Sequence, residues 1–287
     1  MTKILIICGP TATGKTKLAV KLAQKFNGVL ISADSRQVFR GMDIVTGKDK
    51  PKGVTIYGYD LIKPDEDFSV AHFVKYARAL INQISSSAGG FPIIVGGTGL
   101  YLNSLVSPPQ TLTVPPNWPL RKNLANFSAR KLLKLLKQLN PGRLAQMNHS
   151  DQQNPRRLIR AIEVNLQGQS LQVPNLQAEF DVLWIGLTAD KTTLAEKIEA
   201  RVKQRVKAGA VKEWQQLKKK YRANLPSMSA LGYRQLPDVD KWILAEQQYS
   251  RRQLTWFKKN SHIHWFDITQ AFQIPVVNLV KAWYTKK

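Results

Sequence analysis

Gly9-Pro10-Thr11-Ala12-Thr13-Gly14-Lys15-Thr16 follows directly on the apolar run Ile4-Leu5-Ile6-Ile7-Cys8, and this junction decides the fold. The eight residues match G-x-x-x-x-G-K-[ST], a loop that cradles phosphate when a strand precedes it and a helix follows. A strand over residues 4–8 and a helix from about Gly14 to Phe26, with Leu18, Ala19 and Leu22 toward the sheet, supply that context. The backbone amides of residues 12–16 then point at one anion, aided by the positive end of the helix. Lys15 adds a point charge, and the Thr16 hydroxyl is placed to bind a Mg²⁺ bridging phosphate oxygens. The loop specifies a polyphosphate, not a nucleotide.

Further strand-length apolar runs at residues 29–31, 93–95 and 183–187 alternate with helical patterns. This alternation predicts an α/β fold with a P-loop NTPase-like parallel sheet core. Residues 107–119, SPPQTLTVPPNWP, are proline-rich, and from Arg121 to Ser150 there are seven Lys/Arg and no acid. The expected organisation is a first core segment over 1–114, a basic, mainly helical insertion over 115–179, and a return to the core with a C-terminal helical segment over 180–287. Within the insertion, ARKLLKLLKQL places Leu132, Leu136 and Leu139 on one face and Lys131, Lys134 and Lys137 off it, an amphipathic helix. Later, Leu194, Ile198, Val202 and Val206 recur every fourth residue and predict a long helix carrying Arg201 and Arg205 on its flank.

Over 287 residues the formal charge is +24, with a sequence pI near 10.2. Charge of that size bears on partners, and nucleic acid leads among them. No segment approaches the ~18 consecutive apolar residues of a spanning helix, and the apolar start is too short for a signal sequence, so neither membrane nor targeting segment is expected. One cysteine, Cys8, lies in the first strand. It offers no disulfide framework and no metal cluster, which suits a reducing cytoplasm.

A phosphoryl-transfer enzyme with this loop normally carries a second strand ending in an acid that helps hold the metal. The run Phe91-Pro-Ile-Ile-Val95 ends instead in Gly96-Gly97-Thr98-Gly99. The strand VLISADS does end in an acid, Asp34, followed by Ser35-Arg36-Gln37. Alone, Asp34 reads equally as a helix cap or metal-shell residue and as a catalytic group. Parallel strands present their C-terminal ends on one edge, so the loop, Asp34 and Thr98 are expected to meet at one crevice.

The combination of GPTATGKT with ADSRQVFRGMDI from Ala33, VGGTGLY from Val95, NPRRLIRAIEV from Asn154, SALGYRQL from Ser229 and RRQLTWFKK from Arg251 resembles the bacterial tRNA dimethylallyltransferases. The resemblance runs from Gly9 to Lys259. It implies transfer of a dimethylallyl group from dimethylallyl diphosphate to N6 of adenosine 37 in the tRNA anticodon stem-loop, with release of diphosphate. By the family's pattern Asp34 is the general base, Lys15 and Arg201 stabilise the leaving diphosphate, and Thr98 stands near the bridging oxygen. The implied RNA contacts are Asp34, Ser35, Arg36, Gln37 and Thr98; Arg121; Arg156, Arg157, Leu158, Ile159 and Arg160; Gly232, Tyr233 and Arg234; and Arg251, Arg252, Gln253, Trp256 and Lys258. Mg²⁺ is the implied cofactor, and the chain is expected to act as a monomer with no stable protein partner.

The chain departs from the family's pattern in Val45-Thr46-Gly47-Lys48-Asp49-Lys50-Pro51, where the local loop is expected to differ. It also departs at Arg205, usually apolar, which reads as a phosphate contact or as surface charge. Two alternatives stay open: a transferase acting on free adenine nucleotides, or an RNA-binding P-loop ATPase or small-molecule kinase. The basic insertion and the tail RRQLTWFKK exceed what a small acceptor needs, and the missing carboxylate after Val95 argues against the kinase.

Overall fold

The structure, a computed structural model, describes residues 1–86, 90–167 and 180–286. Six strands, β1 (Thr2–Cys8), β2 (Gly28–Ser32), β3 (Ile56–Tyr57), β4 (Phe91–Val95), β5 (Phe180–Thr188) and β6 (Ile263–Asp267), form one sheet in the order β3-β2-β4-β1-β5-β6. Every pairing is parallel. Central β1 sets Leu5 opposite Ile93 on one side and Leu183 on the other. Ile4 to Cys8 are fully buried, which is why that run is apolar without alternation.

Helices α1 (Lys15–Phe26), α2 (Val70–Ser86) and α3 (Gly99–Val106) follow β1, β3 and β4. Leu18, Ala19, Leu22 and Ala23 of α1 pack with the sheet residues Leu30, Ile93 and Leu183 in one core cluster.

The chain divides into two compact units, residues 1–107 with 177–287, and residues 108–176. The smaller holds α4 (Trp118–Leu124), α5 (Ala129–Leu139), α6 (Pro141–Ala145), α7 (His149–Gln152) and α8 (Pro155–Gln167). Asn117, Ser128, Asn140 and Asn148 accept from backbone N–H groups three residues on, so a side-chain cap starts each of the first four helices. Leu124, Leu132, Leu136, Leu158 and Ile162 form its core. Leu139, expected on the apolar face, is exposed: it is the last residue of α5, where the chain turns through Asn140 into the next helix. The expected end of the insertion, residues 168–179, lies outside the described residues.

The larger unit continues through α9 (Lys191–Lys207), α10 (Ala210–Lys220), α11 (Val239–Phe257) and α12 (Gln273–Thr285). Val276 and Val280 of α12 join the sheet core. Ile198 and Val202 of α9 pack with Trp242 and Ile243 of α11 in a second core. The α9 stripe ends differently from its four-residue period: Arg205 is buried and Val206 only partly so. Among the described residues, no helix is long and apolar enough to cross a membrane.

Candidate active site

The loops after β1, β2 and β4 open on one cleft of about 630 Å³, whose walls include Lys15, Thr16, Asp34, Gly97, Arg201 and Gln253. Parallel topology accounts for the meeting, since the C-terminal ends of these strands share an edge.

Gly14 takes a left-handed conformation, φ 80°, which turns the chain into α1. The Lys15 Nζ folds back to donate to the Pro10 carbonyl at 2.6 Å, and the Thr13 hydroxyl donates to the same oxygen at 2.9 Å. Burial, reinforced by the neighbouring Arg201 charge, pushes the Lys15 pKa down to about 8. Arg201 reaches the loop from α9, its Nη1 donating to Thr11 Oγ1 at 2.6 Å. Burial pushes the Cys8 thiol up to about 12, so it stays a protonated packing residue.

At the end of β2, Asp34 Oδ1 accepts the Arg36 N–H at 2.8 Å, while the Ser35 N–H donates to Thr98 Oγ1 at 3.1 Å. The Thr98 N–H returns to the Ala33 carbonyl at 3.3 Å. These bonds tie the Asp34 turn to the glycine turn after β4. Gly96 and Gly97 form the cleft wall there; Thr98, expected at the crevice, is not among its lining residues and reaches the Asp34 turn through Ser35. The Tyr249 phenol, pushed up to about 12 by burial and the charge of Asp34, neighbours Thr98.

Besides Asp34, Ser35 and Thr98, the residues expected at RNA fall into three groups. Arg234, Arg251, Arg252, Trp256 and Lys258 are exposed, and so are Arg156 and Arg157 in the smaller unit. A second group is half-buried and committed to the protein. Gln37 accepts from Ser32 Oγ at 2.8 Å and donates to the Gly47 carbonyl at 2.9 Å. The Arg36 Nη1 donates to the Pro226 carbonyl at 2.8 Å. Arg121 and Arg160 both hold Glu163, beside partly buried Ile159. Burial would raise the Glu163 carboxyl, but hydrogen bonds from Arg121, Arg160 and the Asn117 N–H outweigh it and hold the group down to about 2. A third group is interior. Leu158 belongs to the smaller unit's core, Gly232 is buried, the Tyr233 hydroxyl donates to Glu213 Oε1 at 2.5 Å, and Gln253 is 6 % exposed. In this structure Leu158, Gly232 and Tyr233 are taken up by packing, and Gln253 touches the cleft with only a small part of its surface.

Tyr59, Glu246 and Tyr249 also line the cleft, and Asp49 of the departing loop joins them. The setting of Arg205 is buried. Its Nη1 donates to the Val45 carbonyl at 3.1 Å and lies 3.6 Å from Glu246. This excludes the surface-charge reading. Helical spacing carried the missing signal, with Lys197, Arg201 and Arg205 every fourth residue on α9, and Glu246, Tyr249 and Gln253 at i, i+3 and i+7 on α11. The departing loop is held by Glu213, whose carboxylate accepts the N–H groups of Asp43, Ile44 and Val45.

The family model described as IPP transferase matches residues 37–260, and that described as isopentenyl transferase matches residues 2–59. The tRNA dimethylallyltransferase of Nostoc sp. is 36% identical over 96% of this chain and 98% of its own. That of Alkaliphilus oremlandii is 35% identical over 93% and 92%. The crystal structure of the full-length tRNA isopentenylpyrophosphate transferase from Bacillus halodurans superposes with a TM-score of 0.74 at 31% identity, covering 99% of this chain and 97% of that one. With its phosphate loop, aspartate turn and acid-free glycine turn in one cleft, the chain belongs to the IPP transferase family, among the tRNA dimethylallyltransferases.

Proposed function

We propose that this chain transfers a dimethylallyl group from dimethylallyl diphosphate to N6 of adenosine 37 in tRNA, releasing diphosphate. The observation that carries the reading is the opening of the Lys15 loop and Asp34 onto one cleft whose third wall, Gly96 and Gly97, ends its strand without a carboxylate. Such a cleft suits a polyphosphate that departs whole better than one that donates a phosphoryl group.

The adenine N6 lone pair is delocalised into the ring, so the amine must lose a proton as its bond to the allylic carbon forms. Asp34 takes that proton. Negative charge meanwhile grows on the departing diphosphate, where the amides of residues 12–16, Lys15 and Arg201 meet it. Thr98 holds the Asp34 turn through Ser35. The cleft offers oxygen donors of the kind Mg²⁺ takes, with the Thr16 hydroxyl and the Asp49 carboxylate lining it and no histidine or cysteine among the described lining residues. Mg²⁺ held at Thr16 would supply Lewis-acid stabilisation of the diphosphate.

An anticodon-loop base must leave its stack to reach the cleft. Arg251, Arg252, Trp256 and Lys258 supply exposed cationic and aromatic contacts on and just after α11, and Arg156 and Arg157 supply cations on the smaller unit. The strong positive charge favours this acceptor over a free nucleotide.

The test offers labelled dimethylallyl diphosphate and Mg²⁺ together with either AMP or tRNA carrying adenosines 36 to 38 in a row. Label on tRNA is expected, and label on AMP alone would assign the free-nucleotide reaction instead.

A further inference from the structure

Gln253 lies on the inner side of α11 with both ends of its amide engaged. Its Oε1 accepts the Thr11 N–H of the phosphate loop at 2.9 Å, and its Nε2 donates to the Gly97 carbonyl at 2.8 Å. The side chain is nearly fully buried. The fit is tight, since a Cβ at Gly97 would lie 2.2 Å from Gln253 Nε2, so a glycine is what lets the amide reach that carbonyl. One residue further on, Thr98 binds the Ser35 N–H beside Asp34. A single planar amide therefore bridges the loop that holds the diphosphate and the turn that supports the aspartate.

We infer that Gln253 is a positioning residue that fixes the diphosphate loop against the Gly97 turn, and that it is not an RNA contact. Its neighbours on α11 extend the consequence. Arg252 and Trp256 are exposed, and Trp256 packs against Gly99, where an added Cβ would lie 2.2 Å from the indole. One helix thus carries RNA-facing groups outside and the loop's clamp inside, so the order of the diphosphate loop depends on the seating of α11. The second half of this inference rests on the tRNA reading; the clamp itself does not.

The experiment measures binding of inorganic diphosphate with Mg²⁺, and separately of an anticodon stem-loop RNA, by calorimetry on the full chain. Gln253→Met keeps the length and removes both hydrogen bonds without adding charge. It is expected to weaken diphosphate binding about 10-fold while RNA affinity stays within about 2-fold, with a raised KM for dimethylallyl diphosphate and little change in KM for tRNA. Gly97→Ala, which displaces the amide from the other side and leaves α11 intact, is expected to give the same split. A loss confined to RNA binding, equal losses in both, or no loss would overturn the inference. A wild-type protein that binds diphosphate but moves no isoprenoid would instead refute the transferase reading and leave the clamp measurable.

Discussion

The Arg201 guanidinium donates to the Thr11 hydroxyl at 2.6 Å, so a side chain 190 residues away in sequence closes one wall of the phosphate loop. In the proposed reaction it stands where charge would accumulate as diphosphate leaves, and it also disfavours the charge on Lys15. Arg201→Ala should therefore lower kcat about 10²-fold, more than it raises KM for dimethylallyl diphosphate. Steady-state kinetics separate the two parameters, and an effect confined to KM would make Arg201 a binding group only.

Asp34→Asn keeps the shape of the turn and the acceptor for the Arg36 N–H while removing the carboxylate proposed as the base. Turnover should fall roughly 10²–10⁴-fold with tRNA affinity nearly unchanged. Single-turnover rates with filter binding on the same preparation check both halves. Survival of activity would assign the proton to another group.

Lys15 has a folded-state pKa of about 8, below its ordinary value of 10.5. For a lysine, a lowered value means that the ligand-free fold disfavours the charged form. The cost is fully present below pH 8 and is relieved as pH rises from about 8 toward 10.5, because the unfolded chain binds more protons across that window. Diphosphate needs the charged form, so its affinity should decline above pH 8. Lys15→Gln should bind weakly and flatten that alkaline limb, as titrations at several pH values would show.

Arg205 and Glu246 form a buried pair at 3.6 Å, and Glu246 also accepts from Trp242 Nε1 at 3.3 Å. Removing the cation strands a buried carboxylate, so Arg205→Met should destabilise the protein by about 3 kcal/mol. Adding Glu246→Gln should recover most of that loss. Urea melts of the single and double variants measure the coupling, and additive losses would show that the pair contributes nothing jointly.

In the smaller unit, Glu163 is buried and holds Arg121 and Arg160 together with the Asn117 N–H. Its depressed pKa contributes stability that is present above the ordinary carboxylate value of 4.5 and is lost as pH falls toward 2. Glu163→Gln should remove that acid dependence and weaken RNA binding by releasing two arginines from fixed positions. Acid titration followed by far-UV circular dichroism, with RNA binding at neutral pH, checks both.

What the sequence disclosed follows from the range of the interactions involved. The strand, glycine loop and helix around Lys15 are local, and the fully buried parallel strands write themselves as apolar runs. Strand β3 has two residues, and β6, IHWFD, is an edge strand in which only Ile263 is buried and the last three residues are all half-covered, so neither leaves a period to read. The cleft's third dimension is harder to read for a different reason. Gln253 and Arg205 reach partners more than 150 residues away, and helical spacing groups such side chains on one face without telling whether that face meets water or a carbonyl. Tyr233 illustrates the converse: the resemblance implies an RNA contact there, yet its ring is buried and its hydroxyl donates to Glu213.

The most direct test of the account is nucleoside analysis by mass spectrometry of tRNA treated with the wild-type chain, dimethylallyl diphosphate and Mg²⁺, with diphosphate and ATP followed in the same reaction. The account predicts a dimethylallyl group on N6 of adenosine 37, one diphosphate released per modified base, and ATP left intact. Hydrolysis of ATP during turnover, with no isoprenoid on the RNA, would contradict it.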